Sequence, residues 1–207
     1  MRTMLRLAAS TLAVVLAAVA FLAARPAAAQ APMPLPQIWT GEVLPSEGLQ
    51  PGLTAEQLEL RVSQLSSDAE IAGLLEKLRI GGQVGLRNAM RGLAGKGFLR
   101  FGKLAGVDVT VIRVFDREDG HRVLRLYCDF PIRLFDQSVS RFADDEHPFG
   151  FIELEVDSSG TGGTGKLVAA ASLGLGEDGL KIEAAATPVL SVLDVTSNRP
   201  PSPRAPR

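Results

Sequence analysis

From Gly97 to Val195 the apolar residues recur at about every second position, and this period constrains the fold more than any other feature of the chain. Side chains on an extended strand point alternately to opposite faces, so a period of two marks strands with one buried face. The clearest runs are Ile152, Leu154 and Val156 against Glu153 and Glu155, and Leu167, Ala169, Ala171, Leu173 and Leu175. Strands are expected over 97–103, 106–115, 121–128, 131–136, 150–157, 166–175, 180–186 and 189–195. Asp119-Gly120 and Asp178-Gly179 mark tight hairpins, whose central residues need positive φ. The connections are too short for helical crossovers, so the pairing is expected to be antiparallel.

Upstream the pattern changes. Leu58, Leu60 and Val62 alternate with Glu59, Arg61 and Ser63, although Thr54 and Gln57 also have capping-box spacing. The alternation favours a strand over 58–64. Ser67 and Glu70 then have the spacing of a helical capping box, and Ile71, Leu74, Leu75 and Leu78 share one helical face. Gly81-Gly82 is expected to end this helix. A second helix is expected over 83–94 on Leu86, Met90 and Leu93, weakened by Gly85 and Gly92 by up to about 1 kcal/mol each relative to alanine. The small residues Ala169 to Ala171 and Ala184 to Ala186 leave room for a close neighbour such as a helix pair. The expected fold class is α+β. It is an antiparallel curled sheet or partial barrel of about eight or nine strands, with a helical pair packed on one face.

The termini set the compartment and the domain limits. Residues 1–29 read as a signal peptide: Arg2 and Arg6 precede a charge-free apolar run, and Ala27 to Ala29 supply a cleavage site before Gln30. The expected location is periplasmic or secreted, with no transmembrane segment after cleavage. Residues 30–53 hold five prolines and read as an extended arm, with Trp39 as its anchor on the domain. One globular domain is expected over 54–196, followed by a disordered Pro/Arg tail over 197–207. With 22 basic and 23 acidic residues the chain shows no concentrated basic excess, which argues against nucleic acid as a partner. Cys128, the only cysteine, sits in the apolar run VLRLYCDFPI and is expected to be buried.

Several motifs invite chemistry without carrying it. GTGGTGK at Gly160 to Lys166 resembles a phosphate-binding loop, but Leu167 stands where a hydroxyl would bind magnesium, and a strand follows instead of a helix. It reads as a glycine-rich hairpin loop, with no nucleotide. Asp144-Asp145-Glu146-His147 is dense in potential metal ligands, yet adjacent residues of an extended chain point apart. Asp116, Glu118 and Asp119 form an acidic turn with its glycine misplaced for a calcium loop. Glu153 and Glu155 lie on one strand face and read as its solvent side. His121 and His147 are the only imidazoles, and neither GxSxG nor HExxH occurs. No catalytic, cofactor-binding or metal-binding residue is assigned, and no cofactor is expected.

The segments LELRVSQLSSDAE, GGQVGLRNAM, GKGFLRFG, HRVLRLYCDFPIRLFD, HPFGFIELEVDSSGTGGTGKL and ATPVLSVLDV, in this order, resemble a group of exported bacterial proteins of uncharacterised function. The likeness spans Leu58 to Val195 and implies export and a shared fold, but no catalytic residues. The chain departs from the group's pattern at Cys128 to Ile132, where Thr-Asp-Arg-Pro-Ile is expected. It departs again at 142–147, where a serine and a tyrosine are expected before Pro148. The functional expectation is a non-enzymatic binding protein for a small apolar ligand or an envelope partner, its strands curling around an apolar interior. The alternatives are a small hydrolase using Asp129, His121 or the acids of 144–147, and a purely structural envelope component.

Overall fold

The computed structural model of the chain describes residues 33–46, 53–135, 144–157 and 162–198. Its elements are β1 (Gln37–Leu44), β2 (Glu56–Val62), α1 (Asp68–Arg91), β3 (Gly97–Phe101), β4 (Val107–Val109), β5 (Val111–Asp116), β6 (Arg122–Cys128), β7 (Phe149–Val156), β8 (Gly163–Gly176), β9 (Gly179–Ala185) and β10 (Val189–Asn198). All ten strands belong to one antiparallel sheet, nine of them along the path β4-β3-β2-β1-β10-β8-β7-β6-β5.

The two ends of that path are neighbours in the chain. Only Thr110 separates β4 from β5, so 107–116 is in effect one extended segment. Its first part pairs with β3, Val107 opposite Leu99. Its second part pairs with β6, Val111 opposite Tyr127. The sheet therefore returns on itself as a nearly closed barrel, which leaves few free edges for unwanted pairing. A long hairpin extends the wall: β9 and β10 both pair with β8, Ala185 opposite Ala171 and Val189 opposite Val168. At the break between them, Thr187 Oγ1 accepts from the backbone N–H groups of Ala169 and Ala170, so these buried donors stay satisfied.

Alternation decides which side chains enter the barrel. Trp39, Leu58, Leu60, Leu124, Ile152 and Leu190 are among the residues that fill it, each no more than 1% exposed. The outer face of the β5–β9 wall carries a second apolar layer including Tyr127, Phe151, Val168, Leu173 and Leu180. Helix α1 covers this layer with Ile71, Leu74, Leu78, Leu86 and Met90. Tyr127 stacks against Phe151 with ring centroids 5.2 Å apart, and its hydroxyl donates to Leu180 O at 2.6 Å.

The helix starts as the capping box predicts. Glu70 N–H donates to Ser67 Oγ, and Ser67 N–H donates to Glu70 Oε2 at 2.8 Å. The expected helical pair is matched in part: two helical arms run on as one element, kinked at Gly82. That residue adopts φ 58° and ψ −153°, which glycine alone takes readily. The kink draws the two arms together: a Cβ on Gly85 would lie 2.8 Å from Lys77 O. Gly85 thus permits a close approach and is more than a weak helix former.

Other expectations also need correction. The stretch expected as an extended arm contains β1, which pairs with both β2 and β10. Trp39 is an internal side chain of that wall strand, and the folded unit already includes Gln37. Residues 131–135 form no strand. The glycines of 163 and 165 belong to β8, which starts before the expected loop ends, and β10 continues to Asn198. Ala184 and Ala185 face solvent, whereas Ala171 packs in the layer under α1. The signal-peptide segment, the tail beyond Asn198 and the serine and tyrosine departures before His147 lie largely or wholly outside the described residues.

Candidate functional site

After β6 the chain leaves the wall and crosses one mouth of the barrel. Ile132 N–H donates to Ala169 O at 2.8 Å, and Phe135 N–H donates to Glu56 Oε1 at 2.9 Å. The crossing segment therefore runs from the β8 wall to the start of β2. Ile132, Leu134 and Phe135 are buried beneath it. Pro131 explains part of this departure, since it has no N–H to give to a ladder. Gly150 makes room for the crossing: a Cβ there would lie 2.5 Å from Ile132 Cγ1. Helix α1 holds the start of the segment. Arg87 Nε donates to Asp129 O at 3.1 Å, and Arg91 Nε lies 3.5 Å from Asp129 Oδ2.

A cavity of about 590 Å³ lies between this segment and the β3–β4 turn. Leu99, Phe101, Val107, Phe130, Pro131 and Ile132 give it apolar walls. Leu104 and Ala105 line it from the turn, and Arg87 and Arg133 supply its charged groups. Its size and lining fall in the range of small-molecule sites, which are mostly apolar with few polar groups. The described barrel side chains pack against one another along the axis, and this cavity opens at the mouth.

The residues singled out from the sequence do not converge here. Asp129 and His121 flank β6 at its opposite ends, separated by about 26 Å at the rise of an extended strand. The 144–147 loop closes on itself. Asp144 Oδ1 accepts from His147 N–H at 2.7 Å and lies 2.8 Å from His147 Nδ1. The His147 hydrogen bond holds the Asp144 carboxyl below its ordinary range. Asp116 pairs with Arg122, and Asp119 Oδ1 accepts from His121 N–H within the turn. On the outer wall Glu153 meets Arg125 at 2.7 Å and Lys166 at 2.9 Å. Burial pushes its carboxyl up, but those two cations outweigh burial and hold it below the ordinary value. The lysine of the phosphate-loop-like motif is thus a cross-strand partner of a glutamate.

One grouping was not foreseen. The ligand atoms of Asp119, His121 and Glu155 lie within 4.8 Å of one another, because the β5–β6 hairpin brings its turn beside β7. All three are already engaged: Asp119 caps the turn, Glu155 takes Arg117 at 2.7 Å, and His121 Nδ1 lies 3.4 Å from Glu155 Oε1. Cys128 is buried among the barrel side chains. Burial and the neighbouring Asp129 charge push its thiol up to about 12. No residue type or spacing in the sequence marks the cavity itself, which is assembled from α1, β3, the β3–β4 turn and the crossing segment.

No family model, curated protein or solved structure matches the chain. Among the described residues no helix is long and apolar enough to cross a membrane.

Proposed function

We propose that this chain is exported, loses residues 1–29, and acts outside the cytoplasm as a non-enzymatic binding protein for a small apolar ligand. The observation that supports the reading is the cavity at the barrel mouth, whose walls are apolar while the barrel axis is filled. A ligand there would rest on Phe101, Phe130 and Ile132, and the surface it removes from water would supply most of its affinity. Asp129 borders this space through Arg87 and Phe130, but His121, the imidazole a hydrolase would need beside it, lies at the far end of β6.

The test uses the mature protein and Nile red, a neutral apolar dye. Saturable fluorescence enhancement is expected with the wild-type protein. Ala105 is exposed on the β3–β4 turn and lines the cavity, so Ala105→Trp would fill the space without disturbing the core. This variant should lose the enhancement while keeping its thermal midpoint. Undiminished dye binding by Ala105→Trp would remove the cavity from consideration.

A further inference from the structure

We infer that the ligand of this cavity is an amphipathic anion, an aliphatic chain ending in a carboxylate or phosphate oxyanion, whose head is met by Arg87 and Arg133. The inference rests on the reading of the cavity as a ligand site and adds the chemistry of what enters it.

Ion pairing across the molecule carries the argument. Every described arginine except two holds a carboxylate. The two exceptions are Arg87 and Arg133, and these are the arginines that line the cavity. A guanidinium remains charged throughout the physiological range and presents a planar fork that fits carboxylate and phosphate oxygens. Arg87 is half-buried, and its Nε is fixed on Asp129 O. That bond orients the side chain without neutralising it.

The surrounding charges favour the same ligand. The Asp129 carboxylate faces Arg91, 3.5 Å from its Nε. No acidic residue lines the cavity among the described residues. Among the described residues, Arg87 and Arg133 thus have no carboxylate partner beside walls built from Leu99, Phe101, Phe130 and Ile132. A neutral apolar ligand would bury part of these charges without giving them a partner, which is costly. A chain with an anionic end meets both surfaces at once, and its charge-assisted hydrogen bonds are the stronger kind.

The experiment displaces Nile red from the mature protein with decanoate, decyl phosphate and decanol. One or both anions should compete at concentrations about tenfold below those of decanol, the advantage of a charge-assisted contact. Whichever anion leads identifies the head group. Raising the salt concentration should reduce the advantage. Arg133 is exposed and outside the core, so Arg133→Gln should fold normally and cut the advantage to within about threefold, leaving decanol unchanged. Arg87→Gln, checked for folding by the fluorescence of Trp39, should act in the same direction. Decanol competing as well as both anions would overturn the anionic ligand while leaving the cavity a binding site. A full anion preference surviving in both arginine variants would overturn the assignment to these residues. Dye binding that ignores Ala105→Trp would overturn the cavity reading and this inference with it.

Discussion

Ile132 occupies the space that a side chain on residue 150 would need. A Cβ on Gly150 would fall 2.5 Å from Ile132 Cγ1 and 3.1 Å from Phe130 O. Ile132 cannot yield easily, since its N–H is bonded to Ala169 O and its side chain is 1% exposed. Gly150→Ala should therefore lift the crossing segment and cost about 1–3 kcal/mol, the usual penalty of overpacking. Ile132 and Phe130 also line the cavity, so dye affinity should fall with stability. Urea unfolding followed through Trp39, the only tryptophan, measures the first effect. An unchanged midpoint with unchanged dye binding would show that the segment does not press on β7.

Glu70 ties the helix start to the barrel. One carboxylate oxygen closes the capping box with Ser67, and the other meets Lys96 Nζ at 2.7 Å. The Lys96 side chain is 6% exposed, so its charge has little water to fall back on. The Lys96 hydrogen bond, followed by that from Ser67, holds the Glu70 carboxyl below its ordinary value. Glu70→Ala should cost about 3 kcal/mol, because it strands a buried ammonium as well as opening the cap. Lys96→Met should cost clearly less, since it leaves the more exposed partner. Equal losses from the two substitutions, measured by urea titration, would contradict this asymmetry.

Gln83 takes the place of a missing strand. β7 stops pairing with β8 at Phe149 opposite Ala171, and two residues further on Leu173 would present an open edge. The Gln83 side-chain amide donates to Leu173 O at 2.8 Å and accepts from Leu173 N–H at 3.0 Å. Gln83→Ala leaves both backbone groups unpartnered, at about 1–3 kcal/mol. Hydrogen exchange at the Leu173 amide should accelerate while the amides of β2 and β3 stay protected. Protection of Leu173 that survives the substitution would mean that another group covers this edge.

The strands from Gly97 onward were legible because burial on one face writes itself into a period of two, as in Leu124, Leu126 and Cys128. β1 escaped notice because the prolines around it suggested an arm. Pro36 and Pro45 in fact bracket a proline-free stretch in which Trp39 and Val43 face inward with Gly41 between them. The opposite error arose at 131–136. Ile132 and Leu134 alternate there because a segment crossing a mouth buries one face as a strand does, with no ladder required. The break at Gly82 and the second helical arm on Leu86 and Met90 were both legible; that the two arms run on as one kinked element against the outer wall was not. The cavity was not legible at all. Arg87, Leu99 and Ile132 come from different elements, and whether an arginine is paired is a property of three-dimensional neighbours.

The Cys128 thiol should behave as part of the core. It is 1% exposed, and burial with the nearby Asp129 charge raises it from an ordinary 9.0 to about 12. A thiol reagent at pH 8 should leave the native protein unlabelled and should react once urea unfolds it, since only the thiolate is the nucleophile. The same shift sets a pH dependence. Below pH 9.0 the thiol is protonated in both states, and its contribution to stability is constant. Between 9.0 and about 12 the unfolded chain releases a proton that the folded protein keeps, so stability falls as pH rises. One group can contribute a slope of at most about 1.4 kcal/mol per pH unit. Tyr127 adds a second loss above its ordinary 10.0, because burial raises its phenol too, so the interval from 9.0 to 10.0 isolates the cysteine best. Cys128→Ala should be less stable than the wild-type protein at pH 7, and the gap between them should narrow as the pH rises through that interval. A gap of constant size, or rapid labelling while Trp39 still reports a folded barrel, would place the thiol in contact with water.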